Sequence, residues 1–388
     1  MSDAPERGAV ISGIGISGIG RKTNRPHLDM TLESVRAAIA DAGLTPADID
    51  AVATLGDTPA AQVEQALGLR NAGIEAVQAG GLLAPVMGAF LAVTSGRARH
   101  VLVYRTVQMM GGDIPIPDGD APAGGESPAA TVGNVMGDMM PLLAYHAYSA
   151  AHWLAMHMRR HMYLYGTTKE QFGWLAVNSR RFAGLNERAV YREPITLDDY
   201  LTARPVTDPL CLLDCDVPID GSIAVVVSVP EYAADCPHPA VRVDSFGTSA
   251  GAALGWVNRP DYPKMASIEA ARELWSKTSL TPADVDVAEL YDGFTFLTFA
   301  WLEALGFCGE GESGPFVEGA ANIALGGRLP LNTYGGQLSA GRMHGYWVLH
   351  EACVQLRGEG GPRQVDGAEV AVVSNGGGPI AGCMLLTR

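Results

Sequence analysis

The sequence predicts an α/β fold composed of two duplicated βαβ halves. The main observation is an internal repeat, in which residues 31–52 (TLESVRAAIADAGLTPADIDAV) match residues 267–288 (SIEAARELWSKTSLTPADVDVA) without a gap. Each copy has apolar residues at helical spacing, then a turn, a short capped segment and the start of a strand. Two copies of one supersecondary pattern indicate that the chain arose by duplication.

The match extends outward from the two copies in a looser form. A β-rich segment precedes each copy, and a Gly-Gly turn, an apolar helix and a strand follow, at residues 80–104 and 335–374. The strands expected at residues 100–104 and 370–373 are continuous apolar runs, which are typical of strands buried on both faces. Both halves therefore contribute buried strands to the predicted fold.

These patterns divide the chain into an N-terminal half, residues 1–236, and a C-terminal half, residues 237–388. Within the first half, an excursion at about 105–150 is poor in periodicity and rich in Gly, Pro, Met and Asp. We expect this excursion to lie over a substrate entrance, because long loops in compact folds usually have a function.

The amino-acid composition, the net charge and the cysteine spacing argue against several classes of protein. The chain has 388 residues, of which 47% are hydrophobic and 18% charged, so we expect a compact globular chain with much buried or subunit-covered surface, which forms oligomers. A net charge of −15 without long basic runs argues against nucleic acid and anionic membranes as partners. The scattered cysteines, without CxxC pairs, argue against a zinc site and a disulfide framework.

The chain also lacks the signals of export and membrane insertion. Its first residues pass from a short polar tail into a strand, unlike a signal peptide, and the apolar segment 80–96 is too short and broken to span a membrane. We therefore expect a cytoplasmic protein.

An amphipathic helical region is predicted at residues 151–185, with a helix cap at Thr167 or Thr168. His157 and His161 lie one helical turn apart in this region. We interpret them as surface or core histidines and predict no metal, because a third ligand is not evident.

The densest group of reactive residues lies at positions 331–350, LNTYGGQLSAGRMHGYWVLH. The asparagine and the Gly-Gly pair predict a tight turn, since glycine reaches positive φ without steric cost. Arg342, His344 and Tyr346 follow, just before an apolar run at helical spacing. Polar groups at the start of a buried helix suit a site for developing negative charge. The alternative is a glycine-rich connector with a capped helix and a core tyrosine.

Five segments carry a resemblance to a known family. They are YGTTKEQ, ITLDDYLTARPVTDPLCLLDCDVPIDGSIAVVVS, ELYDGF, NTYGGQLSAGRMHGY and SNGGGPIAG. Over nearly its whole length the chain resembles the thiolase superfamily, especially the sterol-carrier-protein-like thiolases. The resemblance implies a five-layered αβαβα thiolase fold, a homodimer core and CoA thioester substrates, with no cofactor other than the CoA that belongs to the substrate.

The departures from the thiolase pattern limit the chemistry. The segment that corresponds to the thiolase nucleophile reads AGGLLAPVMG, and no cysteine occurs before position 211. The positions of the catalytic histidine and second cysteine are occupied by Arg342 and Ser374, and YDGF replaces the Asn-Glu-Ala-Phe motif. Acyl-enzyme chemistry by that route is excluded. The chain resembles instead the steroid side-chain aldolases, cysteine-less thiolase homologues that cleave a β-hydroxyacyl-CoA on a steroid.

A retro-aldol cleavage of this kind takes a proton from a tertiary hydroxyl, breaks a carbon–carbon bond and protonates the enolate of the departing acyl-CoA, propionyl-CoA. The resemblance assigns Tyr346 as the base and Tyr291 as the acid, or the reverse, since a tuned phenol can exchange protons with an alcohol or a carbon. We expect the thioester oxygen to accept hydrogen bonds from the backbone amides of Gly81, Gly377 and Gly378 and from the His344 side chain. Arg342 is expected to pair with a carboxylate or a CoA phosphate.

Structural explanations remain open for the same residues. Tyr291 can be a packed aromatic residue at a strand end, His344 a brace of the turn, and Asp292 a cap of the following helix. At the level of function, the resemblance implies a retro-aldolase in a heteromeric complex with a small OB-fold, zinc-ribbon partner. The alternatives are a non-catalytic acyl-CoA or lipid-binding protein and a scaffold for a partner enzyme. The steroid nucleus and the side-chain specificity are not determined by the sequence.

Overall fold

The computed structural model describes residues 5–55, 58–69, 72–73, 78–110, 142, 144–147, 149–250, 256–257 and 259–388. Most of the excursion predicted at about 105–150 lies outside the described residues, and its first positions belong to a strand that continues to Gln108.

The described strands form one large mixed sheet and a small separate hairpin. The strands are β1 Val10–Ile16, β2 Ala51–Thr54, β3 Ala72–Gly73, β4 His100–Gln108, β5 Pro205–Thr207, β6 Leu210–Cys211, β7 Asp220–Ser228, β8 Val241–Ser249, β9 Val287–Glu289, β10 Val370–Gly376 and β11 Ala381–Thr387. The order in the large sheet is β3-β2-β4-β7-β1-β8-β11-β10-β9, and β5 pairs with β6.

The α-helices of the described chain flank this sheet. They are α1 His27–Asp41, α2 Ala60–Leu67, α3 Ala84–Thr94, α4 Ala150–Tyr165, α5 Lys169–Gly184, α6 Leu197–Leu201, α7 Ser267–Ser276, α8 Thr295–Ala304, α9 Ser313–Val317 and α10 Tyr346–Arg357. The predicted helical region is thus two helices, because Gly166 adopts a left-handed conformation that ends α4. The cap of α5 is Thr168, whose hydroxyl accepts a hydrogen bond from the Gln171 amide.

The sheet has two halves that mirror each other about its centre. Outward from the central pair, one side runs β1-β7-β4-β2 and the other β8-β11-β10-β9, and β1 pairs antiparallel with β8. The repeated sequences form equivalent elements, α1 with β2 and α7 with β9. Each pair is joined by a short 3₁₀ segment with a capping box, Thr45 with Asp48 and Thr281 with Asp284. The predicted duplication is therefore confirmed, while the division after residue 236 stays a prediction.

Alternating side chains of the strands pack against different helices. Ala53, Val103 and Val373 face a core that contains α3 and α10. Val52 and Leu102 face α1 on the opposite side of the sheet, and α7 belongs to the equivalent core of the second half. Every residue of α10 is buried, as expected for a helix covered on all sides.

Across the described residues, no helix is both long and apolar enough to cross a lipid bilayer.

Candidate active site

A cavity of about 370 Å³ lies where the two halves meet, beside the ends of β9 and β10 and the segments that lead into α3 and α10. Its wall is largely apolar with a small number of polar side chains, as is usual in small-molecule sites. The described lining residues are Leu82, Ala150, Leu154, Asp216, Trp256, Tyr291, Gly293, Phe294, Leu297, Arg342, His344, Gly376, Gly378, Pro379 and Ile380. A larger cleft, along the outer face of α4, is lined by none of the predicted site residues that the structure describes.

Tyr291 lies in the cavity wall two residues after β9. Its backbone amide donates a hydrogen bond to Ser374 Oγ at 3.0 Å. Its ring lies against Gly293, where an added Cβ would be 2.8 Å from the nearest ring carbon. Burial, reinforced by the nearby Asp216 carboxylate, raises the pKa of the Tyr291 phenol above its ordinary value. The phenol is therefore protonated at neutral pH and can donate a proton.

His344 is held in one tautomer by a residue of the other half. Arg105 Nη2 donates a hydrogen bond to His344 Nδ1 at 2.7 Å, because a guanidinium has no acceptor. Burial lowers the pKa of His344 well below its ordinary value, and the charges of Arg105 and Arg342 lower it further. The neutral ring thus carries its proton on Nε2, which makes it a hydrogen-bond donor in the cavity wall.

Arg342 pairs with a carboxylate that the sequence reasoning did not identify. Its Nη1 lies 3.3 and 3.4 Å from the two oxygens of Asp216. Burial raises the pKa of Asp216 to about 7, although the guanidinium acts in the opposite direction. Asp216 stands in the segment LLDCDV, and nothing in that segment predicted a contact with a residue 126 positions away.

Asp292 has a structural contact different from the one considered in the sequence analysis. It does not cap α8, whose N-cap residue is Phe294. Its carboxylate instead accepts hydrogen bonds from the backbone amides of Gln337 at 2.9 Å and Leu338 at 3.4 Å. The suggestion that Asp292 caps the following helix is therefore wrong, because the Gly335-Gly336 turn presents free amides directly to this carboxylate.

Tyr346 is the first residue of α10 and has no exposed surface. Its ring belongs to the same core as Met343 and Trp347. Tyr346 is not among the described residues that line the cavity. The structure thus brings Tyr291, Arg342 and His344 together in the cavity wall and places Tyr346 in the adjoining core.

The glycines predicted to contact the thioester oxygen differ in whether their backbone amides already donate a hydrogen bond within the protein. The Gly377 amide donates to the Ile380 carbonyl at 3.1 Å, so this donor is already paired, whereas Gly378 lines the cavity. Gly81 has a φ of 59°, and the next amide, that of Leu82, donates to Asn375 Oδ1 at 3.1 Å. Gly81 and Gly378 therefore remain candidate donors, and the Gly377 amide does not.

The two histidines of α4 are not among the described residues that line this cavity, and both contact protein groups. His157 Nδ1 donates to the Trp153 carbonyl at 2.9 Å, and burial lowers the pKa of His157 to about 4. His161 Nε2 lies 2.9 Å from Glu303 Oε1. Among the described residues, no group of three or more His, Cys, Asp or Glu side chains is placed to hold a metal ion.

The duplicated mixed sheet flanked by helices defines the class of the molecule as a thiolase fold. The described wall of its cavity carries a phenol, a carboxylate, a guanidinium and an imidazole.

Comparison with known proteins agrees with this class. Residues 252–386 match the family described as thiolase C-terminal domain-like. The chain is 34% identical to the steroid side-chain-cleaving aldolase of Thermomonospora curvata, over 97% of both chains. It is 35% identical to the 17-hydroxy-3-oxo-4-pregnene-20-carboxyl-CoA lyase of Mycobacterium tuberculosis, over 97% of this chain and 98% of that protein.

A solved structure described as the Ltp2-ChsH2(DUF35) aldolase superposes with a TM-score of 0.86 at 33% identity, covering 100% of this chain and 99% of that one. The chain therefore belongs to the thiolase superfamily, among the thiolase-like steroid side-chain aldolases.

Proposed function

We propose that the protein is a lyase that cleaves a steroid β-hydroxyacyl-CoA by a retro-aldol reaction. The products are propionyl-CoA and a 17-keto steroid, in the degradation of a steroid side chain. Two relatives that match over nearly their full length support this proposal. One is described as a steroid side-chain-cleaving aldolase, and the other as a 17-hydroxy-3-oxo-4-pregnene-20-carboxyl-CoA lyase. CoA enters as part of the substrate, and no further cofactor is required by the reaction.

The observation that carries the proposal is that one cavity wall contains both the protonated phenol of Tyr291 and the neutral imidazole of His344. When the carbon–carbon bond breaks, its electrons move onto the thioester as an enolate. The His344 Nε2–H group is suited to stabilise the enolate oxygen, a contact that is typically worth roughly 3 kcal/mol. Tyr291 is suited to deliver a proton to the enolate carbon.

The apolar remainder of the wall fits a steroid. Trp256, Phe294 and Leu297 line the cavity beside the polar groups. Contact with such side chains removes apolar steroid surface from water at about 25 cal/mol per Å². Exclusion of water also strengthens the electrostatic contacts to the enolate.

The hydroxyl proton needs an acceptor as well. From the sequence we propose Tyr346 for this role, with the two tyrosines exchangeable. The Tyr346 ring lies in the core that adjoins the cavity, so its participation is tested by Tyr346→Phe.

We further propose that the chain forms a homodimer core within a heteromeric complex. The solved relative is described as a complex with ChsH2(DUF35), which supports a partner protein. From the family resemblance, we expect this partner to be a small OB-fold, zinc-ribbon protein. A reducing cytoplasmic compartment fits the six free cysteines.

The decisive experiment is a product assay with 17-hydroxy-3-oxo-4-pregnene-20-carboxyl-CoA, with and without the partner protein. Mass spectrometry should detect propionyl-CoA and the 17-ketone in equal amounts. A non-catalytic acyl-CoA binder or a scaffold would bind the thioester or the partner and release neither product. Absence of both products under all conditions would contradict the proposal.

A further inference from the structure

The tryptophans of the described chain differ in how their indole rings are held. Trp153, Trp275 and Trp301 donate their ring N–H groups to backbone carbonyls at 2.8, 3.1 and 3.1 Å. Such a bond fixes an indole within the fold, because a buried N–H group needs an acceptor. Trp256 lines the cavity, and within the described part of the chain its ring N–H has no such acceptor.

The Trp256 indole lies directly against Gly378, in the turn between β10 and β11. An added Cβ on Gly378 would be 2.5 Å from two carbons of the six-membered indole ring, so a larger residue would displace the indole. The Gly378 carbonyl accepts a hydrogen bond from the Ala266 amide at 2.9 Å, which fixes the turn. Trp256 thus covers a turn whose Gly378 amide is a candidate donor to the thioester oxygen.

Helix α4 supports the Trp256 ring through aromatic contacts. The centroids of the Trp153 and Trp256 rings are 5.5 Å apart, and the His157 ring is edge-on to Trp256 at 6.3 Å. These separations lie within the range of favourable aromatic contacts. The same helix lines the cavity with Ala150 and Leu154. The indole is therefore fixed to the cavity wall before a ligand enters, which lowers the entropic cost of binding.

Part of the Trp256 surface remains uncovered, since the residue is half-buried. Together with Phe294, Leu297 and Ile380, it forms an apolar part of the cavity wall. An indole offers a large, flat apolar surface. The uncovered part suits a ligand that is itself flat and apolar, and fused rings cover it better than a linear acyl chain does.

The chemistry of the substrate brings a ring system close to this surface. In a steroid β-hydroxyacyl-CoA, the bond that breaks joins a D-ring carbon to the carbon beside the thioester carbonyl. The D ring therefore begins two bonds from the thioester carbon. A thioester oxygen held near the Gly378 amide places the rings within reach of Trp256.

We infer that Trp256 selects a fused-ring substrate by packing its indole against the steroid nucleus. This inference rests on the proposed retro-aldol function and names the residue that sets the substrate class. Trp256 takes no part in proton transfer, and its contact is made equally in the bound substrate and in the transition state. Its loss should therefore raise KM for the steroid thioester and leave kcat nearly unchanged.

The test compares two thioesters that contain the same reacting bond. One is 17-hydroxy-3-oxo-4-pregnene-20-carboxyl-CoA, and the other, 2-(1-hydroxycyclopentyl)propanoyl-CoA, keeps only the D ring. Cleavage of the second gives propionyl-CoA and cyclopentanone, with the hydroxyl proton replaced on the enolate carbon. Trp256→Ala should lower kcat/KM for the steroid thioester at least about 30-fold, through KM, and that for the cyclopentyl thioester less than about threefold.

A milder substitution provides a matched control. Trp256→Phe keeps an aromatic ring and should show a smaller loss in the same direction, again confined to the steroid thioester. Trp174→Phe alters a half-buried tryptophan of α5 that is outside the described lining of the cavity. This control should match the wild type with both thioesters.

Binding calorimetry gives a measurement that does not depend on turnover. The ligands are androst-4-ene-3,17-dione, the expected ketone product, and propionyl-CoA. Trp256→Ala should bind the dione at least about 30-fold more weakly than the wild type and propionyl-CoA within about threefold. If Trp256→Ala does not fold, Trp256→Phe decides, because it too should weaken binding of the dione alone.

Two results would overturn the inference. One is a folded Trp256→Ala, or failing that Trp256→Phe, that binds the dione as tightly as the wild type. The other is an equal loss of affinity for the dione and for propionyl-CoA, which would mean that Trp256 contacts the acyl-CoA part or only holds the Gly378 turn. In both cases the wild type still forms the two products, so failure of this inference is distinct from failure of the proposed function.

Discussion

The two halves of the molecule share one skeleton and differ where their strands end. The repeat aligns β2 with β9, so that Leu55 in the first half corresponds to Tyr291 in the second. Leu55 packs against the core, whereas Tyr291 lines the cavity. Two positions earlier, Ala53 corresponds to Glu289. The second half thus carries ionisable groups at positions that the first half fills with apolar side chains.

The next strands show a reciprocal arrangement. Ala53 pairs with Val103 and Glu289 with Val373, so Arg105 on β4 corresponds to Asn375 on β10. Arg105 binds His344 ahead of α10, and Asn375 binds the Leu82 amide ahead of α3. Each half therefore orients the helix start of the other.

The comparison shows that residues inside the strands of this duplicated fold mainly pack the core, whereas residues at strand ends and helix starts carry the reactive groups. Most buried strand positions in either half carry apolar residues, because strands buried on both faces leave few partners for polar groups. Strand ends and helix starts meet at the cavity, where a change of side chain does not disturb the sheet. The following predictions test this difference, from the largest expected effect to the smallest.

Tyr291→Phe removes the hydroxyl that distinguishes the second half from Leu55. We expect turnover to fall by about 10²- to 10⁴-fold with little change in thioester affinity, because only the proton donor is lost. Single-turnover product assays and binding calorimetry measure the two quantities. Tyr163→Phe, on the exposed face of α4, is the matched control. Equal rates for Tyr291→Phe and wild type would remove Tyr291 from the mechanism.

His344→Asn removes the ring N–H that Arg105 orients. Asparagine tolerates the φ of 48° at this position better than most residues, so the backbone should be preserved. We expect kcat to fall about 100-fold, the usual cost of losing one oxyanion donor. Leu82→Ala, at the equivalent helix start of the first half, should change kcat far less. A similar loss in both variants would show that the effect is steric.

Asn375→Ala removes the reciprocal contact to the first half. The Leu82 amide would lose its buried acceptor, which typically costs about 1–3 kcal/mol of stability. Urea unfolding, monitored by fluorescence, measures the change. Thr94→Ala, on an exposed helix end, should be nearly neutral. Unchanged stability of Asn375→Ala would mean that this contact does not couple the halves.

Glu289→Gln tests the ionisable group that replaces Ala53. Burial, with the nearby Glu351, raises the pKa of Glu289 well above its ordinary value, so the folded protein holds a proton that the unfolded chain releases. The free energy of unfolding of the wild type should therefore decline as pH rises above the unfolded pKa. The decline should be about 1.4 kcal/mol for each pH unit in which only the unfolded chain is ionised at this residue. Glutamine cannot ionise, so the variant should gain stability relative to wild type as pH rises above about 4.3, the ordinary pKa of a glutamate.

The measurement is thermal unfolding of both proteins at pH values below and above this pKa. A difference between the two proteins that does not change with pH would show that Glu289 has the same pKa in the folded and unfolded states.

Much of the fold could be predicted from the sequence because its signals are local. The repeat, the capping residues and the Gly-Gly turn each act over a few positions, and the structure confirms the duplication, the Thr168 cap and the start of α10. Of the residues predicted for the site, Tyr291, Arg342, His344 and Gly378 line the cavity, and their roles stay predictions. Asp216 was missed because its partner is distant in the chain and its loop reads like any polar connector.

The sequence by itself determined the duplicated α/β architecture and the absence of a cysteine at the thiolase nucleophile position, since both follow from residue order. Tertiary structure alone decided which polar groups share the cavity. It pairs Asp216 with Arg342, fixes the tautomer of His344 through Arg105, engages the Gly377 amide with Ile380 and places Tyr346 in the core. The physical reason is that burial and long-range contacts set the protonation and availability of each group.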